Sequence, residues 1–464
     1  MLEQSVVQKV LGAALQSGGE WAEVFVEDRR SSSGRLDDGR IEDLSSLRDR
    51  GAGIRVVVGD TTGFAHTADL SEEGLRLAAQ AASAVARSGG GGVKEVALTA
   101  QSHPQINDIK VLPESVEKAA KVAILKRANE AARATGSSII QVRAGYGDVR
   151  RRILVANSDG LFATDDQVRT NFNVMATASG DTGMQTGYNS TGFTVGWELF
   201  DDIDIESFAR VAADRAITKL RARPAPSGPV PIVLAKGSGG VMFHEACGHG
   251  LEADAVQKNA TVYAGRRGEQ VASSLVTLVD DGTMGPEWGS FSIDDEGRPA
   301  TRNVLIEDGV LTDYMYDYLR ARKEGRGHSS GNGRRQAYDY LPMVRMTNTY
   351  VLAGESDPDE ILRQTPTGVY IAHLGGGQVN TATGDFVFGI EEAYLIENGE
   401  ITDPIREANL IGNGPEVLKN IDAVGNDFAM GSPGMCGKMG QSVPVGDGQP
   451  TMRVTAITVG GTAA

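Results

Sequence analysis

The sequence predicts an α+β protein. An antiparallel sheet with helices is expected in its amino-terminal half, and a β-rich, barrel- or sandwich-like domain in its carboxy-terminal half. Up to about residue 220, segments of helical periodicity and segments that alternate apolar with polar residues follow one another in blocks. Beyond about residue 228, short strand-like segments with glycine turns dominate. Glycine is abundant, at 59 residues, which is typical of a chain with many turns.

Helical periodicity marks four segments in the amino-terminal half. The second has the clearest start, because Ser71 is a good N-cap and Glu72 and Glu73 favour the first turn of a helix. Residues 21–67 alternate in stretches broken by glycine and aspartate, which predicts short consecutive antiparallel strands, and residues 138–200 predict a further meander. The predicted helices cover residues 1–19, 71–88, 114–136 and 205–222.

The chain length predicts more than one folding unit, since single hydrophobic cores stop growing at about 250–300 residues. Prolines in RPAPSGPVP, residues 223–231, predict a linker. The sequence accordingly predicts an amino-terminal α+β region at 1–225 and a β-rich region at 226–464. The glycine run at 89–92 predicts a flexible joint, so a further split near 90–113 stays open.

The carboxy-terminal half begins with PIVLAKG (231–237), which predicts a short buried strand. The segment VMFHEACGHGLEAD (241–254) follows as the motif helix of this half. Further on, EDG at 307–309 and ENG at 397–399 separate strand-like segments and predict tight hairpins. The glycine-rich GGGQVNTATGDF at 375–386 lacks the lysine of a phosphate-binding loop, and we expect a loop that lies close to a bound peptide.

Composition narrows the class of partner and compartment. The formal net charge of −16 argues against nucleic acid or an anionic membrane as the main partner. Two cysteines are too few for a secreted disulfide framework, which favours a reducing compartment. The first 19 residues lack the basic and apolar regions of a signal peptide, and no apolar run reaches the 18 residues of a membrane helix. A cytoplasmic protein is expected.

The motif helix contains His244-Glu245-x-x-x-His249, one residue longer than the spacing of familiar zinc peptidases. At about 100° per residue, side chains five positions apart diverge by roughly 140° on a regular helix, so both imidazoles cannot face one ion. The chain must therefore widen into a π-bulge, or the helix must end before His249. Gly248 and Gly250 flank His249 and permit such a departure.

A catalytic zinc ion takes three protein ligands and keeps one position open for water. Cys436, in the glycine-rich GSPGMCGKMGQ (431–441), offers a thiolate as the third ligand beside His244 and His249. The ion would lower the pKa of its bound water, and Glu245 would accept the proton as the general base. We therefore predict one Zn²⁺ per chain; a core histidine and a helix-terminal histidine are the alternative interpretation of the motif.

Three long segments resemble motifs of the TldD/PmbA metallopeptidase family: HEACGHGLEAD, SSGNGRRQAYDYLPMVRMTNTY at 329–350, and GMCGKMGQSVPVGDGQPTMRVTAITVGG at 434–461. The resemblance implies a zinc peptidase that acts on unfolded or modified peptides. It also implies that His244, His249 and Cys436 bind zinc and that Glu245 is the catalytic base. Because all four are present, the chain resembles the catalytic TldD-type subunit, which pairs with a PmbA-type subunit; a homodimer is the other expectation.

Several residues leave alternatives open. Cys247 lies inside the motif at three positions from His244, but a packed thiol is the preferred interpretation. His373 lines the substrate or is a structural histidine. Arg334, Arg335 and Arg345 orient a substrate carbonyl or carboxylate, or form structural ion pairs.

Two other functions also stay open at this point. One is a zinc hydrolase that acts on a small-molecule amide-like bond, and the other is a non-enzymatic peptide-binding subunit. For a peptidase, exposed strands near the zinc would bind an unfolded peptide by adding it to a sheet edge, which selects weakly among side chains.

Overall fold

Helices form where the sequence combines an apolar face with a favourable start. The structure, a computed structural model, describes residues 1–86 and 96–461, so the predicted glycine joint at 89–92 lies outside the described residues. At the start of the second helix, the Ser71 hydroxyl accepts a hydrogen bond from the backbone N–H of Gly74, which confirms its predicted role as N-cap. The helices are α1 (Gln4–Leu15), α2 (Glu72–Val85), α3 (Lys118–Ala134), α4 (Leu199–Asp202), α5 (Ile205–Leu220), α6 (Gly240–Phe243), α7 (Ala253–Val256), α8 (Tyr318–Lys323), α9 (Pro358–Arg363) and α10 (Gly414–Lys419).

The first sheet is almost entirely antiparallel, as predicted. Its strands are β1 (Trp21–Asp37), β2 (Arg40–Val58), β3 (Thr61–Thr67), β4 (Thr99–Gln101), β5 (Ile139–Asn157), β6 (Leu161–Gly180) and β7 (Gly183–Phe193). They lie in the order β3-β2-β1-β5-β6, and both β4, which is parallel, and β7 pair with β6. The predicted short strands before residue 58 are wrong in length, because β1 and β2 form one long hairpin that turns at Asp38 and Gly39, both with positive φ.

The first sheet packs α1 and α2 against one face and the carboxy-terminal half of the chain against the other. Val24 of β1 and Leu154 of β5 belong to the cluster of buried side chains under α1 and α2. The neighbouring Phe25 and Val155 point to the opposite face, because successive side chains alternate along a strand. There they pack against Ile293 from the carboxy-terminal half, and burial of each large apolar side chain contributes about 1.5–3 kcal/mol.

The carboxy-terminal half is rich in strands, as predicted. These are β8 (Arg223–Pro224), β9 (Gly228–Leu234), β10 (Leu278–Asp281), β11 (Arg302–Glu307), β12 (Val310–Leu311), β13 (Gly333–Arg334), β14 (Met343–Val344), β15 (Asn348–Val351), β16 (Thr367–Asn380), β17 (Asp385–Glu397), β18 (Glu400–Arg406), β19 (Ala408–Asn413), β20 (Ile421–Val424), β21 (Ala429–Met430), β22 (Gly434–Lys438), β23 (Gln441–Gln449) and β24 (Met452–Gly461). Strands β16-β9-β24-β19-β17 follow one another, and β17 pairs back with β16. This ring of pairings closes a barrel, which removes the exposed edges of an open sheet.

A second sheet in this half carries the order β12-β11-β10-β15-β23-β21, and β22 pairs with β23. The two predicted tight hairpins are confirmed. Asp308 and Gly309 have positive φ between β11 and β12, and Asn398 and Gly399 have positive φ between β17 and β18.

Two glycine- or proline-rich segments differ from the prediction. In the predicted linker at 223–231, Arg223 and Pro224 pair with β18, and Gly228 starts β9, so strand pairing overrides the proline signal. Residues 375–380 belong to β16 and not to a loop, and the turn that follows joins β16 to β17. The division into 1–225 and 226–464 stays a prediction. Within residues 1–86 and 96–461, no helix combines the length and the apolar character needed to cross a bilayer.

Candidate metal centre

The motif helix widens where the sequence predicts a departure from regular geometry. Helix α6 continues into a π-helical turn over His244–Gly248 and then a 3₁₀ turn over His249–Leu251. The backbone N–H of His249 donates to the carbonyl of His244, a hydrogen bond between residues five apart. The predicted π-bulge is therefore confirmed.

The glycines of the motif serve close packing and not an unusual backbone angle. Gly248 has helical angles, with φ −53° and ψ −55°. A Cβ at this position would lie 2.2 Å from the sulfur of Met346, far inside van der Waals contact. At Gly250 a Cβ would lie 2.7 Å from the ring of Tyr263. Both glycines thus let the wide turn approach its neighbours.

The structure brings His244, His249 and Cys436 together. Nε2 of His244 lies 3.2 Å from Sγ of Cys436, and Nε2 of His249 lies 3.3 Å from the same sulfur. The two imidazole rings are nearly perpendicular, at 88°, with centroids 5.1 Å apart. All three side chains are buried, and their ligand atoms lie within 4.8 Å of one another. Three atoms able to donate lone pairs therefore meet at one point.

The three side chains shift one another's pKa values toward an imidazolium–thiolate state. Burial raises the pKa of Cys436, but the adjoining imidazoles outweigh burial and lower this pKa to about 4. Burial lowers the pKa of His244, while the charge of Cys436 raises it to a net increase. For His249, Glu252 and Cys436 outweigh burial and raise the pKa well above its usual range.

Glu252 contacts His249 on the side away from Cys436, and Lys438 contacts Glu252 in turn. Oε2 of Glu252 lies 3.0 Å from Nδ1 of His249, which leaves Nε2 of that ring facing Cys436. Nζ of Lys438 donates to the same Glu252 oxygen at 2.9 Å and to Oδ1 of Asp254 at 2.8 Å. Burial raises the pKa of Glu252, but His249 and Lys438 outweigh burial and hold this pKa at about 2. Glu252 is therefore ionised and fixes the orientation of His249.

Glu245 lies at the edge of the cluster, with one carboxylate oxygen 3.9 Å from Nε2 of His249. Its side chain is 19% exposed, slightly more than those of Lys438, at 16%, and His249, at 11%. Burial raises the pKa of Glu245, and the two histidines oppose that increase only in part. Nearby, Asp447 accepts a hydrogen bond from the backbone N–H of Val241, and burial raises its pKa to about 6.

The hairpin formed by β22 and β23 positions Cys436. The thiol-bearing residue pairs across the hairpin with Val443. The guanidinium of Arg345, fully buried, donates to the carbonyl oxygens of Cys436 and Gln441. Arg345 thus holds the backbone of the hairpin through its carbonyl groups and not through the candidate ligand atoms.

The residues with open alternatives take distinct places. The Cys247 thiol donates to the carbonyl of Phe243 at 3.0 Å, and burial raises its pKa to about 12, which supports a packed thiol. His373 lies 3.2 Å from Glu391 and lines a cleft of about 300 Å³ beside Ser238. Arg335 forms a buried ion pair with Glu23 of the first sheet.

Glu252 and Lys438 were not singled out from the sequence, although a signal for both exists. Glu252 follows His249 by three residues, a spacing that brings side chains together on a helical turn. Lys438 follows Cys436 by two residues, which places both on one face of a strand. A search for partners of the predicted ligands at these spacings would have found both.

In this α+β chain two imidazoles and a thiol converge in the interior, an arrangement that defines a candidate metal site. Three family descriptions match: PmbA/TldA metallopeptidase domain 1 at residues 22–86, the central domain at 112–220 and the C-terminal domain at 227–461. The chain is 40% identical over 450 residues to a metalloprotease TldD homolog of Haemophilus influenzae, covering 96% of this chain and 93% of that one. The chain belongs to the PmbA/TldD metallopeptidase family.

Two further proteins extend the comparison. A zinc metalloprotease TldD homolog of Saccharolobus solfataricus is 33% identical over 264 residues, which cover 57% of this chain and 58% of that protein. The crystal structure of TldE from Thermococcus kodakarensis has the same fold, with a TM-score of 0.78 and 20% identity over 98% of this chain and 100% of that chain.

Proposed function

We propose that the chain is a zinc-dependent peptidase that hydrolyses unfolded or modified peptides. The observation that carries this proposal is the convergence of His244, His249 and Cys436 beside the carboxylate of Glu245. Membership of a metallopeptidase family supports the same class of reaction.

The donor set fits zinc. Imidazole nitrogens and a thiolate are the ligands that zinc prefers, and in a tetrahedral site the sulfur and a nitrogen lie about 3.6 Å apart. The distances of 3.2 and 3.3 Å between Sγ of Cys436 and the two Nε2 atoms need only a small expansion to accept the ion. The Saccharolobus relative is itself a zinc metalloprotease. We propose one zinc ion per chain, held by these three side chains.

Glu245 is proposed as the general base. A bound zinc ion supplies Lewis acidity, which makes water more acidic and a carbonyl carbon more electrophilic. Glu245 accepts the proton from the attacking water and delivers it to the departing amine, because its carboxylate is the partly exposed group next to the cluster. Its raised pKa brings the group closer to the pH at which such a proton shuttle works best.

The substrate is proposed to bind as an added strand. Among the described strands, β7 pairs with β6 alone, and residues 189–193 of β7 line the cleft that Ser238 and His373 also line. Ser238 lies just before the motif helix, so a peptide on this edge would run toward the metal centre. Main-chain pairing selects extended segments, which suits unfolded peptides.

The partner is proposed to be a PmbA-type subunit or a second copy of the chain, in the cytoplasm. The match in fold to TldE from Thermococcus kodakarensis supports a partner built on the same architecture. Turnover should therefore be measured both with the chain alone and with such a subunit.

The variant E245Q tests the proposed reaction. We expect its turnover of unfolded peptides to fall by about 100-fold or more, because general-base catalysis contributes that much. Zinc content by elemental analysis should stay at the parent value, since Glu245 is not a proposed ligand. The matched control E269Q removes an exposed carboxylate from a surface ion pair and should leave both readouts unchanged.

Parent-like turnover in E245Q would reject Glu245 as the base. A zinc-loaded chain that cuts no unfolded peptide, with or without the partner, would instead favour a hydrolase of small amides or a binding subunit. Mass spectrometry of a peptide digest distinguishes these outcomes.

A further inference from the structure

A second polar cavity lies between the first sheet and the hairpin that carries Cys436. It has a volume of about 310 Å³, and five arginines line it against two aspartates, although the chain as a whole has a net charge of −16. The arginines are Arg29, Arg151, Arg169, Arg334 and Arg335. A concave site lined by one sign of charge concentrates ligands of the opposite sign.

Only part of this positive charge is compensated inside the protein. Arg151 pairs with Asp295 at 2.7 Å, and Arg335 pairs with Glu23. The second aspartate of the cavity, Asp148, accepts from Lys121 at 2.9 Å. Both aspartates of the lining are therefore already engaged.

The other three arginines differ. Within residues 1–86 and 96–461, no carboxylate oxygen lies within 4.0 Å of a guanidinium nitrogen of Arg29, Arg169 or Arg334. Arg169 and Arg334 are also almost completely buried, at 2% and 4% exposed. A buried charge with no carboxylate in direct contact is costly, and the more distant Asp295 offsets only part of that cost, so Arg169 and Arg334 favour a bound anion.

Neutral backbone contacts hold two of these arginines in place. Nε of Arg169 donates to the carbonyl of Trp288 at 2.9 Å, and Nη2 donates to the carbonyl of Ser290 at 2.8 Å. Nη2 of Arg334 donates to the carbonyl of Pro444 at 2.7 Å. Carbonyl oxygens fix the guanidinium groups without cancelling their charge, which is how a binding site is preorganised.

Burial, together with the crowding of the guanidinium groups, lowers the pKa values of two of these arginines. Burial and the nearby Arg334 and Arg151 lower the pKa of Arg169 to about 9. Burial and the nearby Arg345 and Arg151 lower the pKa of Arg334 to about 10, although Asp295 opposes the decrease. A bound anion would offset both effects.

The cavity begins one residue from the metal centre along the chain. Met435 and Val443 both line it; Met435 precedes Cys436, and Val443 is the cross-strand partner of Cys436. An extended peptide advances about 3.3 Å per residue, so a group three residues from a carbonyl held near Cys436 lies about 10 Å from that carbonyl.

We infer that this cavity binds a carboxylate carried by the peptide substrate, within about three residues of the bond that is cleaved. The guanidinium groups of Arg29, Arg169 and Arg334 would hold the carboxylate, because the planar fork of arginine matches its two oxygens. That the bound peptide is a substrate rests on the proposed function, whereas its binding to the cavity does not. The carboxylate belongs either to the carboxy terminus of the peptide or to an aspartate or glutamate side chain.

Binding to zinc-loaded E245Q protein, measured by calorimetry, tests this inference. The probes are N-acetylated hexapeptides in matched forms, with a free or amidated carboxy terminus and with Asp or Asn at each internal position in turn. We expect loss of one carboxylate to weaken binding by about 10-fold to 100-fold, the worth of a hydrogen bond to a charged group. The position of that loss tells the terminal carboxylate from a side chain.

The variant R29Q should remove most of this discrimination, and R152Q is its matched control. Arg29 is half-buried and has no ion pair to lose, so R29Q is expected to fold normally, as circular dichroism would show. Arg152 sits one position from Arg151, the cross-strand partner of Arg29, and points to the other face of the same sheet, where it pairs with Asp28. R334Q provides a second, buried variant.

Equal binding of all peptide forms, including no binding of any, would overturn the inference, and so would equal behaviour of R29Q and R152Q. Discrimination that R29Q abolishes would support it even if the parent chain cleaves no peptide. Absence of cleavage would count only against the proposed peptidase activity. Failure of the carboxylate site and failure of the proposed function therefore give different results.

Discussion

Two of the buried polar clusters in the described part of the chain differ in how their charges are arranged. Between the first sheet and the carboxy-terminal half, charges alternate: Arg55 contacts Glu23 and Glu296, and Glu23 also contacts Arg335. At the candidate metal centre, by contrast, His244, His249 and Cys436 converge with no carboxylate or guanidinium among the three. The first cluster carries its own counterions, whereas the second presents lone pairs to one point.

This contrast distinguishes a structural cluster from a functional one. An alternating network is charge-compensated within the chain, so nothing further is needed to fill it, and its role is to join two parts of the fold. Convergent lone pairs repel one another unless a proton or a metal ion lies between them. In this chain the pKa values of both imidazoles are raised, so protons compete with zinc for these lone pairs.

The largest expected effect breaks the convergent cluster. In C436S the thiolate, whose pKa is lowered to about 4, is replaced by a hydroxyl that stays protonated and is a poor zinc ligand. We expect zinc affinity to fall by more than about 100-fold. Loss of a residue that only hydrogen-bonds to a ligand costs about 10-fold to 100-fold. Elemental analysis after dialysis against a weak chelator measures the occupancy.

The control for this prediction is C247S, which changes the other cysteine of the chain. Its thiol faces the carbonyl of Phe243, so zinc occupancy should match the parent. Full occupancy in C436S, or equal loss in both variants, would mean that the sulfur is not a ligand.

The next effect breaks the alternating network. E23Q leaves the guanidinium groups of Arg55 and Arg335 without their shared counterion in a fully buried position. Because removal of one partner strands a buried charge, we expect the free energy of unfolding to fall by about 3–5 kcal/mol, measured by urea unfolding. Zinc per folded molecule should stay unchanged, since the network contacts none of the proposed ligands.

An exposed ion pair provides the comparison. Glu20, 47% exposed, pairs with Arg322, and E20Q should cost no more than about 1 kcal/mol. If E23Q lowered the free energy of unfolding no more than E20Q does, the alternating network would not hold the two halves together. The network would then not be a structural cluster.

Local signals in the sequence predicted local structure well. The cap of α2 at Ser71 and the hairpin turns at Asp308–Gly309 and Asn398–Gly399 were predicted because each depends on a few neighbouring residues. The length of β1 was not predicted. Ser31 to Ser33 and Gly34 look like a break, yet they are paired on both sides by β2 and β5, and such pairing depends on distant chain segments.

The candidate site shows the same limit. The wide turn at His244 was one of the two outcomes that the five-residue spacing allows, the other being a helix that ends before His249. Cys436 was predicted because zinc chemistry calls for a third ligand. Lys438 and Glu252 are 186 residues apart in the sequence, so a pattern within one motif does not predict their contact. The arginine-lined cavity is of this kind too, since its lining comes from both halves of the chain.

The smallest of the three expected effects concerns Glu252, which has features of both clusters. It is a charged group paired with Lys438, as in the alternating network, and it also orients His249. E252Q should weaken zinc binding by about 10-fold to 100-fold, the usual cost of losing the carboxylate behind a ligating histidine. Its control, D254N, removes the other partner of Lys438 without a contact to His249, and should cost clearly less.

The pH dependence of zinc affinity separates orientation from simple structural damage. In the parent chain Glu252 and Cys436 hold the pKa of His249 well above its usual range, so zinc competes with a tightly held proton and affinity rises with pH. E252Q removes one cause of that increase, so the proton on His249 is lost at lower pH. The slope of affinity against pH should therefore become shallower above about pH 6.5, the ordinary histidine pKa. If zinc affinity falls equally at every pH and its slope against pH is unchanged, Glu252 only stabilises the fold around the turn. The charge of Glu252 would then have no effect on proton binding at His249.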